Sequence, residues 1–489
     1  MERRTWHLEY RVLIILIIEQ GRTRQDKSKN MTQRAETRNE GAAGSPFDGD
    51  QPGGRASAAA VAASGDIAAR PPQLGQPMRA RPSLQPDAAE VGDPFFSGRK
   101  HYPALDGLRA LAIIGVICLH FGGVLTPAQV GGLGPVGEGI YKFFTHGAWG
   151  VDLFFVLSGY LITGILLSSR GQEHYFRNFY ARRTLRIFPL YYGTLLAVLV
   201  LLPLVLGHVP AMISAAYNHQ AWLWTYTTNI ECARRDGQVF GNFLHFWTLA
   251  IEEQFYLVWP LVVFLTPPRW LLRLALVGIV AVNAGRMSFI ILQWTPGYGW
   301  DPVTVYNWLA SLTLFRADSL LAGAALAVMQ SDGTLLQWRG TFRWIFPAAV
   351  GAIVVFLYTV PSLTSGLPTP VVAHVTIAPI LFGAGVGYLL TCRADSWLVR
   401  GLSVKPLRAI GKYSYAMYVF HYIYLPLEVR WLPCSSFVRV LHDPLLGLLA
   451  YYATAIGIAF GVAFLSYHLY EKHFLKLKKF FPERAAALQ

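Results

Sequence analysis

Charge is scarce in this 489-residue chain, and acid is scarcer than base. Only 14% of residues are Asp, Glu, Lys or Arg, 28 acidic against 42 basic, while 53% are apolar and 14% aromatic. With a mean hydropathy of +0.36, this excludes an ordinary soluble domain. It points to a polytopic membrane protein that carries a polar segment. Cysteine is also rare: the four residues are isolated and no CxxC pair occurs, so redox and metal motifs are not expected. Zinc-ligand spacing, a Walker loop and a glycine-rich dinucleotide fingerprint are all missing. The net charge of +14 would suggest nucleic acid in a soluble chain. Here the Lys and Arg residues sit in short loops between apolar runs, which membrane topology explains, so no nucleic-acid partner is expected.

The first hundred residues are a different material. From Gly41 to Pro86 the chain is built of Ala, Gly, Pro, Ser, Gln and Arg, which cannot bury a core. Residues 1–100 read as a disordered cytoplasmic tail, with initiation at Met31 as an alternative for its beginning. The apolar run from Val12 to Ile18 is too short to span and lacks a small-residue cleavage site.

Beyond residue 100, ten apolar runs follow, near 105–123, 147–168, 187–207, 246–266, 270–292, 305–329, 344–361, 371–391, 410–428 and 446–469. Each is about the 18–25 residues that a helix needs to cross a bilayer. The expected fold class is therefore all-α and polytopic, with about ten transmembrane helices. The transmembrane domain is placed at 101–475, with a short basic tail at 476–489. One alternate set of loops carries Arg170, Arg177, Arg182, Arg183, Arg186, Arg269, Arg273, Arg339, Arg343, Arg393, Arg400, Lys405 and Arg408, and the tail adds Lys472, Lys476, Lys478, Lys479 and Arg484. The other set carries only Lys142, Arg234, Arg235, Arg430 and Arg439. The bias puts the first set, and both termini, in the cytoplasm. Residues 208–245 read as an outer-face or re-entrant element, because an eleventh span would break the alternation. Cys232 and Cys434 then share the outer face, where a disulfide can persist or two thiols can stay free.

Ionisable groups inside spans are costly and normally mark function. Arg109 and His120 lie eleven residues apart in the first run. That is about three helical turns, so they share one face roughly 16 Å apart. Asp152 and Ser158-Gly159 follow in the second run, Asp152 divided between a site role and simple pairing, Ser158-Gly159 read as helix packing. Arg182 and Arg186, four apart, form a two-pronged cationic face suited to phosphate or to lipid headgroups. The fourth run brings Glu252, Glu253 and Gln254, whose carboxylates and aromatic neighbours suit a sugar. Arg316 and Asp318 read equally as members of a buried ion pair, with each other or with neighbouring helices, or as site residues. Ser414, Tyr418 and His421, at i, i+4 and i+7, make a polar stripe that either lines a cavity or joins helices.

These stretches, in this order, resemble the acyltransferase-3 family of bacterial integral-membrane acyltransferases. The matches are LDGLRALAIIGVICLH at 105–120, GVDLFFVLSGYLI at 150–162, FYARRTLRIFPLY at 179–191, FWTLAIEEQFYLVWP at 246–260, RADSLLAG at 316–323 and GKYSYAMYVFH at 411–421. Any one is weak; the ordered set is specific. The resemblance implies a ten-helix bundle that takes an acyl group, commonly acetyl, from acyl-CoA. The acceptor is then a hydroxyl of a surface carbohydrate or glycolipid such as O-antigen or exopolysaccharide. It places the family's arginine and histidine on Arg109 and His120, its acid on Glu252 and its paired arginines on Arg182 and Arg183. Some relatives append an extracytoplasmic hydrolase-like domain. This chain runs about twenty residues past its last apolar run, so no second catalytic domain is expected in it.

The expected enzyme is a multi-pass acyltransferase of the bacterial inner membrane. Its donor substrate is acyl-CoA, most simply acetyl-CoA, and it needs no metal. Arg109, Arg182, Arg183 and Arg186 would hold CoA phosphates or orient the thioester. His120 would act as general base or carry the acyl group itself. Glu252, with Asp152, would orient the histidine or bind the sugar. Glu253, Arg316, Tyr418 and His421 complete the expected substrate-binding set. Alternatives are a succinyl or longer acyl donor, a small-molecule acceptor, or a transporter, although the two halves show no convincing internal repeat. A homo-oligomer is left open.

Overall fold

The computed structural model describes residues 102–145, 148–235, 237–294, 302–359 and 368–482. The expected disordered tail over 1–100 lies outside these residues. The described chain is helical, with no β-strand among the described residues. Ten long helices carry the fold: α1 (Pro103–Gly122), α2 (Trp149–Ser169), α3 (Tyr175–Leu195), α4 (Phe246–Leu265), α5 (Pro268–Trp294), α6 (Thr313–Ser331), α7 (Arg339–Thr359), α8 (Pro368–Leu390), α9 (Lys405–Trp431) and α10 (Pro444–Ser466). Each of the ten apolar runs thus contributes one long helix. Seven helices among the described residues are long and apolar enough to cross a membrane, those that contain α1–α6 and α10, so the chain is a multi-pass membrane protein. In α8 the apolar stretch is shorter, Val375–Leu390. In α9 five tyrosines between Tyr413 and Tyr424 dilute the hydropathy.

Helix directions follow from the contacts. Helix α1 runs parallel to α9, since Asp106 meets Gly411 near their beginnings and His120 meets His421 further on. In the same way α2 is parallel to α6, where Asp152 meets Arg316 and Val156 meets Gly323. It is also parallel to α4, where Ser158 meets Glu252 and Thr163 meets Trp259. Sequence neighbours run oppositely, as Arg286 against Phe315 and Gly278 against Leu321 show for α5 and α6.

The tightest crossings are close enough to require glycine. A Cβ on Gly159 would lie 1.9 Å from the Leu320 carbonyl oxygen, and one on Gly323 1.9 Å from that of Val156. At the α1–α9 crossing, a Cβ on Gly411 would lie 1.9 Å from the Asp106 carbonyl oxygen. Small residues that let backbones touch are the usual means of helix association in lipid, where apolar burial alone gives little drive.

One span departs from expectation. The run at 305–329 is broken at Leu312, whose extended backbone separates the helix Pro302–Ser311 from α6. The break is fastened by side chains: Thr313 hydrogen-bonds Gln254 of α4, and Asn229 Nδ2 donates to Thr313 Oγ1 at 3.0 Å. The described residues between 208 and 245 form short helices (Ala211–Asn218, Gln220–Trp224, Thr228–Arg234), none of them long enough to cross. Buried Glu231 ties this segment together, facing His219 at 3.4 Å, Arg234 at 3.3 Å and Arg235 at 3.1 Å. All four cysteines are free and buried, so Cys232 and Cys434 are not bonded.

Candidate active site

A cavity of about 100 Å³ opens where α1, α2, α3, α4 and α9 converge. Its polar lining is Arg109 from α1, Ser158 from α2, Arg183 and Arg186 from α3, Thr248, Glu252, Glu253 and Tyr256 from α4, and Ser414, Tyr415 and Tyr418 from α9. Three guanidiniums and two carboxyls therefore face one small space. Arg109 is anchored by Asp106 one turn earlier, at 3.4 Å. The Arg183 guanidinium lies 5.7 Å from the Tyr256 ring centroid and 6.0 Å from that of Phe179, a stacking that suits a planar cation. Glu252 accepts a 2.6 Å hydrogen bond from Ser158. Oε1 of Glu253 is buried with no hydrogen-bond partner. Such an acceptor is costly unless something in the cavity donates to it.

The arginine pair is not the one expected. Arg182 is turned toward the C-terminal segment, donating to the carbonyls of Phe481 at 2.8 Å and Lys478 at 3.4 Å. It lines a separate small cleft with Pro482. Successive helical residues point about 100° apart, so only one of Arg182 and Arg183 can face the bundle axis. The facing pair is Arg183 and Arg186, at i and i+3.

Asp152 and Arg316 also leave the cavity. They pair with each other at 2.9 Å, both buried, and Ser319 donates to the same carboxylate oxygen at 3.0 Å. Neither orients His120. Asp318 pairs instead with Arg286 of α5 at 2.6 Å. Arg286 is not among the residues expected from the sequence, although an arginine inside an apolar run is itself the signal. Of the Ser158-Gly159 pair expected to pack helices, Gly159 makes the close crossing, while Ser158 holds Glu252.

His120 does not line the arginine cavity. Its Nδ1 lies 2.8 Å from Nε2 of His421, and its ring is 4.4 Å from that of Tyr422. The ring of His245, just before α4, stands 5.0 Å from that of His421. So His421 belongs to a histidine cluster beyond the cavity, whereas Tyr418 lines the cavity itself. The Tyr418 hydroxyl bonds Thr248 Oγ1 at 2.6 Å and donates to the His245 carbonyl at 3.2 Å. Tyr418 and Thr248 thus form a partition between arginines and histidines. The expected contact from Glu252 to His120 is replaced by Glu252–Ser158 on one side and His120–His421 on the other.

The acyltransferase domain model matches residues 102–468. The chain belongs to the acyltransferase-3 family. Peptidoglycan O-acetyltransferase OatA of Listeria monocytogenes is 31% identical over 350 residues, 66% of this chain and 49% of that protein. A putative peptidoglycan O-acetyltransferase, YrhL of Bacillus subtilis, is 30% identical over 394 residues, 76% and 55% of the two chains. O-acetyltransferase OatA of Staphylococcus aureus is 28% identical over 361 residues, 66% and 50%. The chain spans about half the length of these curated relatives. No solved structure matches it. Arg109 and Glu252 line the cavity, and His120 belongs to the histidine cluster.

Proposed function

We propose that this acyltransferase-3 chain transfers an acetyl group from acetyl-CoA, bound at the arginine-lined cavity, to a carbohydrate hydroxyl presented near His120. Peptidoglycan is the acceptor named for the relatives OatA and YrhL, and it replaces O-antigen and exopolysaccharide as the first acceptor to test. The observation that carries this reading is the convergence of Arg109, Arg183 and Arg186 with Glu252 and Glu253 in one intramembrane cavity, a hard arrangement to explain as filler.

Ten crossings with both termini cytoplasmic are part of the proposal. The parallel pairs α1/α9, α2/α4 and α2/α6 fit strict alternation, and the basic loops fit the inner face. The arginine cavity then opens toward the compartment that holds acyl-CoA. Guanidiniums match phosphate oxygens bidentately and retain their charge when desolvated. In the reaction His120 takes the acceptor hydroxyl proton, the oxygen attacks the thioester carbonyl, the C–S bond breaks as the C–O bond forms, and the proton passes to the CoA thiolate. Glu252 and Glu253 bind and align polar groups of the reactants.

The test is the O-acetyl content of purified peptidoglycan and of other surface polysaccharide, by proton NMR before and after mild alkali. The strains are a deletion, the wild-type complement and a His120→Ala complement present in the membrane at equal level. Acetyl lost from peptidoglycan in the deletion, restored by wild type and absent with His120→Ala supports the proposal. Loss confined to another polysaccharide overturns the acceptor, and full acetylation with His120→Ala overturns the role of the histidine.

A further inference from the structure

The histidine cluster fixes its own protonation pattern, because its outer contact is a backbone carbonyl. Nδ1 of His421 lies 2.7 Å from the carbonyl oxygen of Tyr418, one turn earlier in α9. A carbonyl can only accept. His421 therefore carries its proton on Nδ1, and in the neutral ring Nε2 is left as a bare acceptor. Nε2 is the atom that lies 2.8 Å from Nδ1 of His120, so the hydrogen in that bond belongs to His120. His245 shows the same logic: its Nε2 faces the Val419 carbonyl at 3.2 Å, and its Nδ1 is buried without a hydrogen-bond partner.

We infer that His421 is a positioning residue that holds His120 as the Nδ1–H tautomer, leaving the His120 Nε2 lone pair free to accept a proton. The inference rests on the proposed role of His120 as base. It adds the residue that makes the role available, in the place that a carboxylate holds in other oriented histidines. Among the described residues no carboxylate hydrogen-bonds His120, His421 or His245, and the groups facing the His120–His421 pair are the rings of His245, Tyr418 and Tyr422. His421 itself is fully buried, which favours the neutral ring over a second imidazolium. When His120 accepts the substrate proton, its Nδ1–H still points at a bare nitrogen, so the new charge is shared through that bond with His421.

The experiment uses the full chain in lipid nanodiscs with ring-15N-histidine. The His120 signals are identified by their loss in His120→Gln. Long-range proton–nitrogen correlation reads which ring nitrogen is protonated. In wild type His120 is expected with the proton on Nδ1. His421→Gln, whose side-chain oxygen also accepts, keeps that tautomer. His421→Met, of similar length but without an acceptor, shifts His120 toward the Nε2–H form. With acetyl-CoA and solubilised peptidoglycan fragments, His421→Met loses kcat on the order of 10²-fold at unchanged donor KM, and His421→Gln recovers most of it. An Nε2–H His120 in wild type overturns the inference. So does wild-type kcat in His421→Met while His120→Ala is inactive. Activity surviving in His120→Ala instead overturns the base itself, and the tautomer measurement still decides the hydrogen bond. If His421→Met does not fold, the wild-type spectrum and the His421→Gln kinetics give the answer.

Discussion

The Arg286–Asp318 pair offers the sharpest test of what holds the bundle together. Both side chains are buried, with Arg286 at 0% and Asp318 at 1% exposure. The guanidinium uses all three nitrogens. Nε donates to the Phe315 carbonyl at 2.8 Å, one terminal nitrogen to the Val375 carbonyl at 2.9 Å and Asn283 at 3.2 Å, and the other to Asp318 at 2.6 Å and Phe315 at 2.5 Å. One residue of α5 thereby ties α6 and α8. Arg286→Met leaves the Asp318 carboxylate buried, with Asn283 Nδ2 at 3.5 Å as its remaining hydrogen-bond neighbour and Arg316, already paired with Asp152, as the nearest other cation. Breaking a buried pair in this way costs about 3–5 kcal/mol, whereas replacing both partners by apolar residues is often near neutral. Interhelical polar contacts in membranes tend to the weak side of such ranges, because helices separated in lipid still find partners, so about 3 kcal/mol is expected for each single change. The four buried cysteines provide the assay, since a thiol-reactive fluorophore reports their exposure on heating in detergent. Arg286→Met and Asp318→Leu should each lower the midpoint by about 4 °C, and the double variant should recover most of the loss. A double variant as unstable as the sum of the two singles would refute the coupling.

Three further outcomes follow from the same geometry. Arg183→Ala and Arg186→Ala should each raise the KM for acetyl-CoA by about 10-fold or more, the equivalent of losing one charged hydrogen bond, while Arg182→Ala should leave it unchanged; initial rates against donor concentration check this. Glu252→Gln, which can still accept from Ser158, should fold normally yet lose kcat by on the order of 10²-fold, read as free CoA released from acetyl-CoA. Gly159→Ala should cost about 2 kcal/mol or more by thiol exposure on heating, because its Cβ meets the Leu320 backbone, whereas Gly461→Ala, with nothing within 4 Å, should be silent.

The fold was legible because spans are long and bilayer thickness is fixed. Each apolar run became a helix, and the alternation of basic loops agrees with the observed helix directions. The break at Leu312 was not legible: no Pro or Gly marks it, and its fastening by Gln254 and Asn229 comes from other helices. The cavity was half legible. Arg109, Glu252 and Glu253 stood out because charge in a span demands a reason. The choice among Arg182, Arg183 and Arg186 turns on helix rotation, which spacing alone does not set. For Asp152 and Arg316 sequence leaves pairing and a site role equally open, and only the packing of α2 against α6 shows that the two charges are consumed by each other. The His120–His421 bond joins residues 301 apart, and nothing local announces it.

That bond also explains why small residues matter far from the chemistry. Helices α1 and α9 touch backbone to backbone at Gly411 against Asp106, and Gly107 of α1 meets Leu402 in the short helix Trp397–Leu402 that leads into α9. From that crossing His120 lies about 20 Å along α1, and His421 about 15 Å along α9, by helix rise. A Cβ at Gly411 would push the helices apart at the crossing. Even a few tenths of an ångström carried to the histidines would lengthen a 2.8 Å contact toward the limit of hydrogen bonding. Gly411→Ala is therefore expected to act on the tautomer of His120 as well as on stability. The nitrogen spectrum that tests His421 should show the same shift toward Nε2–H in this variant, though no side chain near the reacting atoms has changed. An unaltered His120 tautomer in folded Gly411→Ala would mean that the histidine bond is set locally, by the Tyr418 turn of α9, and not by the crossing.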